Sequence, residues 1–65
     1  MLDVAVHNEA ENWFFNKRFA ALPRVGEQVQ IDAGVGKTEY TVVKVWHEES
    51  AEEREFWTPH VDVAR

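Results

Sequence analysis

Leu22-Pro-Arg-Val-Gly-Glu-Gln-Val-Gln-Ile-Asp-Ala-Gly-Val-Gly-Lys-Thr-Glu-Tyr-Thr-Val-Val-Lys-Val-Trp-His47 decides the reading of this chain. Gln28 to Asp32 alternates polar and apolar residues, so Val29 and Ile31 share one face of a strand and Gln28, Gln30 and Asp32 share the other. Ala33 to Lys37 contains two glycines, which reach positive φ at little steric cost and suit a reversal. Thr38 to His47 is mostly β-branched or aromatic, the composition of a return strand. On it Thr41, Val43, Val45 and His47 fall on one face and Tyr40, Val42, Lys44 and Trp46 on the other. Apolar groups on both faces mark a central strand, or one whose register changes at a bulge.

Outward from this hairpin, Leu2, Val4 and Val6 alternate with Asp3, Ala5 and His7 as a first strand. Asn8 to Asn12 reads as a turn, and Trp13 to Phe19 as a second strand with Phe15 and Phe19 opposite Phe14, Asn16 and Arg18. The same segment carries a helical alternative. Asn8 with Glu11 matches a capping box, and Phe15, Phe19 and Leu22 are spaced as one face of a helix over 9–22. Pro23 ends either element by disfavouring helical backbone at Leu22. Glu48 to Glu55 is too charged to bury, and Ser50 with Glu53 matches a second capping box. Phe56 to Ala64 is the last strand, with Trp57, Pro59, Val61 and Val63 on one face and Phe56, Thr58, His60 and Asp62 on the other. Pro59 cannot donate to a ladder, so it belongs at an edge or bulge.

Five short strands in 65 residues predict a single all-β domain over 1–65, a small five-stranded antiparallel barrel or bent meander sheet. The alternative is α+β, with one helix at 9–22 packed on a three- to four-stranded sheet. A chain of this length hides only roughly 60% of its unfolded surface, so its core is small. The eight aromatic residues must supply much of the drive for folding.

The hairpin also carries a family resemblance. Gly26, Glu27, Val29, Ile31, Gly34, Gly36, Lys37, Val42 and Val45 resemble the opening hairpin of SH3-like barrels of the KOW type over about a third of the chain. That implies an SH3-like barrel. KOW modules commonly present basic residues to RNA, whereas this hairpin offers only Lys37 and Lys44. The pattern Phe-x-x-Leu-Pro-x-Val-Gly-Glu at Phe19 to Glu27, followed by Val-x-Val-x-His at Val43 to His47, is similar to short bacterial and phage-like proteins and implies no chemistry.

A formal charge of −5 disfavours a general nucleic-acid binder. There is no cysteine for a disulfide or a thiolate zinc site. Met1 to Val6 lacks the features of a secretory signal, and no stretch approaches the roughly 20 apolar residues that span a bilayer. A cytoplasmic location and no membrane contact are therefore expected. His7, His47 and His60, with Glu49 beside His47, could hold an ion only by converging, and no ligand-spacing motif joins them; no metal or cofactor is expected. Ser50, the sole serine, lies among glutamates that oppose an alkoxide, so no enzymatic activity is expected.

What remains is an interaction module, without catalysis, for a protein partner or a second copy. Its candidate contact residues are Trp13, Phe14, Lys17, Arg18, Arg24, Trp46 and Trp57, because aromatics beyond the needs of a small core are enriched at interfaces. An edge strand at Leu2 to Val6 or at Phe56 to Ala64 is a further candidate for pairing. The alternative is a nucleic-acid-associated accessory domain, in which Trp13, Phe14, Lys17, Arg18 and Arg24 combine stacking with phosphate contacts.

Overall fold

The computed structural model describes residues 1–32, 34, 36–49 and 57–65 of the chain. It is all-β, with β1 Leu2–Asn8, β2 Trp13–Phe19, β3 Gln28–Asp32, β4 Lys37–Glu49 and β5 Trp57–Ala64. The expected turn at Ser50 to Glu53 and the start of the last strand at Phe56 lie outside the described residues.

The segment 9–22 is not helical. All seven residues of β2 pair antiparallel with β1, from Leu2 with Phe19 to Asn8 with Trp13. The capping signature is real but is spent on a turn: Asn8 Oδ1 accepts the Glu11 main-chain N–H at 2.9 Å. The Asn12 N–H then donates to the Glu9 carbonyl at 3.3 Å, and Asn12 takes φ 56°, a left-handed conformation that Asn tolerates better than most residues. That backbone turns the chain back along β1 before a second helical turn can form.

The strands form one sheet in the order β2-β1-β5-β4-β3. Consecutive strands still neighbour one another, as in a meander, except at one place. β1 pairs with β5 in parallel, so the ring of strands closes there and opens between β2 and β3. Among the described residues no Cα of β2 comes within 8 Å of a Cα of β3. Lys17 Nζ crosses that seam to the Asp32 carbonyl at 3.4 Å. The result is a curled half-barrel in which β2 and β3 are the edges. The expectation of edges at Leu2 to Val6 and Phe56 to Ala64 is therefore corrected: β1 and β5 are interior strands, buried by the pairing that curls the sheet. Pro59 sits one residue before the β1–β5 ladder begins at His60, where its missing N–H costs no bond to β1.

The inner face holds the core: Val4 and Val6 from β1, Ile31 from β3, Tyr40 and Val42 from β4, and Val61 and Val63 from β5. Burying each such valine is worth about 1.5–3 kcal/mol. Trp13, Phe19, Leu22, Val29 and Val45 pack around them. Along β4 the apolar alternation changes phase. The pairing with β5 shifts between Val42 and Lys44, leaving Val43 as the extra residue of a bulge. Val42 is 1% exposed and Val43 49%, so Val43 does not join the core that its β-branched side chain suggests. Beyond the bulge the inward residues are odd-numbered, and Trp46, even-numbered like Tyr40 and Val42, lies on the outer face.

Candidate functional site

Register and strand alternation set out the outer face row by row. Phe14 of β2 pairs with His7 of β1, whose partner on β5 is Asp62, itself paired with Lys44 of β4. In the next row Asn16 pairs with Ala5, Ala5 with His60, and His60 with Trp46. Ala5 is 2% exposed because these larger neighbours close over it.

The rings of these two rows are in mutual contact. The His7 ring centroid lies 4.7 Å from that of Phe14, 5.2 Å from Trp46 and 5.1 Å from His60. Trp46 stacks on His60 at 5.1 Å with 12° between the planes, and Lys44 Nζ sits 5.0 Å from the Trp46 centroid. Each aromatic contact of this kind adds about 0.5–1.5 kcal/mol beyond the area it buries. A band of four rings thus runs across β2, β1, β5 and β4, and at its β2 end Phe14 remains 53% exposed.

The two histidines, 53 residues apart, are joined ring to ring: His7 Nε2 and His60 Nδ1 are 2.9 Å apart. Glu48 Oε1 lies 3.5 Å from His60 Nε2, too far for a well-formed hydrogen bond but near enough to favour the proton on that nitrogen. With the His60 proton there, His60 Nδ1 accepts from His7 Nε2–H, and in that tautomer His7 Nδ1 is left as an acceptor. Burial, and next the neighbouring His60, hold the His7 pKa below its ordinary value, against the opposing pull of Asp62, Glu48 and Glu9. His7 is therefore neutral near pH 7.

His47 pairs with Pro59, on the inner side of the sheet, so it does not join His7 and His60. Among the described residues no group of three or more His, Cys, Asp or Glu side chains is placed to hold one ion.

The sequence-nominated contact residues are divided by the alternation of β2. Phe14 and Arg18 are on the outer face, with Arg18 Nε paired to Asp3 Oδ1 at 3.2 Å. Trp13 and Lys17 are on the inner side. Trp13 packs edge-on against Tyr40 at 5.5 Å and donates from Nε1 to Glu11 Oε1 at 3.2 Å, while Lys17 Nζ lies 5.2 Å from the Phe15 centroid. Arg24 is in the connection to β3, its main-chain N–H bonded to Glu27 Oε1 at 2.6 Å. Trp46 belongs to the outer band. Trp57 is 55% exposed at the start of β5, beside a groove of about 670 Å³ that opens where β1 and β5 are unpaired and is walled by Leu2, Asp3, Asn16 and Pro59. Of the seven, only Phe14 and Trp46 are brought into one ring cluster. His7, His60 and Asp62, which complete that surface, were not nominated, because nothing local in the sequence ties residue 7 to residue 60.

No protein-family model matches this chain, and no curated protein or solved structure is significantly similar to it.

Proposed function

We propose that this chain is a non-enzymatic interaction module with an SH3-like barrel architecture, acting in the cytoplasm and docking a protein partner or a second copy of itself on the outer face of its sheet. One observation carries the reading: the contiguous band of Phe14, His7, His60 and Trp46, which ends in a half-exposed phenylalanine. Rings with two rotatable bonds lose little freedom on docking, which is why aromatic clusters dominate binding surfaces. The absence of catalysis is part of the proposal, and the mutual bond of His7 and His60 is in keeping with it, since it engages one nitrogen of each ring. The KOW-type hairpin pattern and the five-stranded curl support the SH3-like assignment.

The test is site-specific photo-crosslinking in the cells that make the protein. A photoreactive residue at position 14 is expected to give a discrete adduct, whereas one at Gln30, exposed on β3, gives none. Sedimentation then separates a homodimer from a complex with another chain. Equal labelling from both positions, or none from position 14, would overturn the reading.

The nucleic-acid alternative draws on Phe14 and Arg18 sharing one face of β2. It is opposed by the net charge of −5 and by the engagement of Arg18 with Asp3. It predicts salt-dependent retention on single-stranded RNA or DNA that disappears in the K17A, R18A, R24A triple variant.

A further inference from the structure

At the β2 end of the ring band, the turn between β1 and β2 encloses a pocket of about 260 Å³ lined by His7, Asn8, Glu9, Asn12, Trp13 and Phe14. Three features of its wall point to one ligand chemistry. The first is the free face of Phe14. Lys17, Lys44 and Arg65 lie 5.0–5.9 Å from the ring centroids of Phe15, Trp46 and Tyr40, so this chain's own cations already cover those faces. Among the described residues no cation covers Phe14, though it is 53% exposed. The second is Glu9, an exposed carboxylate that pairs with no cation among the described residues. The third is the acceptor left at His7 Nδ1 once Nε2 is committed to His60.

A π face, a carboxylate and a neutral imidazole acceptor side by side are suited to a flat cation with several donors. A guanidinium can stack flat on the ring while its pre-organised fork of N–H groups reaches both acceptors; an ammonium, compact and strongly hydrated, matches this arrangement less well. The pocket is smaller than the several hundred Å³ that typically enclose a whole small molecule, and it opens onto the ring band, so it takes one side chain of a larger partner. A net charge of −5 draws such a partner in.

We propose that the pocket at the β1–β2 turn binds an arginine side chain of a protein partner, stacked on Phe14 and hydrogen-bonded to Glu9 and His7. This rests on the interaction-module reading and names the chemistry of the partner.

The probe is a short glycine–serine peptide carrying one arginine, titrated into the full chain and followed by amide and imidazole NMR shifts. Saturable shifts are expected at His7, Glu9 and Phe14. A citrulline peptide, which keeps the shape and loses the charge, is expected to bind about tenfold more weakly, as is the arginine peptide to E9Q. F14L is expected to cost about three- to fivefold. Both substitutions are at exposed positions, and an unchanged amide spectrum elsewhere confirms the fold. Equal binding of arginine and citrulline peptides, shifts that map elsewhere, no shift at all, or free arginine binding as tightly as the peptide would each overturn the proposal. The two readings fail separately. A cross-link from position 14 without arginine selectivity sinks only the pocket's assignment, and arginine selectivity without a cross-linked partner sinks only the module.

Discussion

The Tyr40 hydroxyl donates to Glu11 Oε1 at 3.0 Å, across 29 residues of sequence. The same carboxylate accepts the Trp13 indole N–H at 3.2 Å and, through Oε2, the Arg65 Nε–H at 2.7 Å. One side chain in the β1–β2 turn thereby ties together the start of β2, the first part of β4 and Arg65. The phenol of Tyr40, 1% exposed at its residue level, finds its acceptor there.

The Trp13 hydrogen bond first, then those of Tyr40 and Arg65, hold the Glu11 carboxyl below its ordinary value of 4.5, outweighing the opposing effect of burial. A depressed carboxylate pKa contributes stability that is fully present above the unfolded value and is lost as pH falls through the folded one. The melting temperature is therefore expected to fall below about pH 4.5 with a component that E11Q removes. At neutral pH E11A should melt earlier than wild type, and Y40F should show a smaller deficit in the same direction. A pH profile of E11Q that keeps the full acid-side loss would show that other carboxylates carry it.

β4 makes a sharper prediction, because alternation gives two adjacent valines opposite fates and the bulge then sets the face of Trp46. V42A removes methyl groups from the core and is expected to cost about 2–3 kcal/mol in urea unfolding. V43A, at the exposed extra residue, is expected to stay within about 0.5 kcal/mol of wild type. If β4 ran without the bulge, the two residues would still alternate, but Trp46 would turn inward beside Tyr40 and Val42. Its fluorescence is then the second readout: Trp46 on the outer face, stacked on His60 with Lys44 over its ring, is expected to be quenched, and W46F should remove the quenched component.

These cases show why some of the structure was legible in the sequence and some was not. The alternation in Val29 and Ile31, and in Pro59, Val61 and Val63, is a local property, and it gave strands with the observed faces. At Asn8 and Glu11 the local signal was ambiguous, because the same side-chain-to-backbone bond opens a helix or closes a turn, and full-length pairing of β2 with β1 decides between them. The strand order depends on the parallel contact of β1 with β5, which joins the two ends of the chain and leaves no local trace. For the outer face, the aromatic residues Phe14 and Trp46 were visible as surplus to the core. The convergence of His7 with His60 follows only from that parallel register, and the placement of Trp46 beside them only from the phase change at Val43.

The left-handed backbone at Asn12 is a test of the turn itself. At φ 56° a side chain other than Asn, Asp or Gly is strained, so N12A is expected to cost about 1 kcal/mol and N12V about 2 kcal/mol. N12G removes the strain and is expected to match or exceed wild type. Denaturant midpoints for the three variants check the order, and a helix over 9–22 would reverse it, since Ala would then stabilise and Gly would not.

The histidine pair supplies a second pH window, separate from that of Glu11. His7 faces His60 and Asp62 from β5, Glu48 and Trp46 from β4, Phe14 from β2 and Glu9 from the turn. Burial, and next the neighbouring His60, outweigh the attraction of the three carboxylates and keep the His7 pKa below 6.5. In the interval between the folded and unfolded values the unfolded chain binds more protons, so stability rises with pH there. The contribution is complete above 6.5 and disappears as pH falls through the folded value. The imidazole resonances of His7 are expected to titrate with a midpoint below 6.5, while the nitrogen shifts at pH 7.5 show the proton on Nε2 and a lone pair on Nδ1. H7Q should flatten the melting-temperature profile as pH falls below 6.5 and leave the acid-side loss due to Glu11 in place. A His7 midpoint above 6.5 would mean that the carboxylates, and not burial, govern the ring, and the acceptor assigned to the arginine pocket would then be lost at neutral pH.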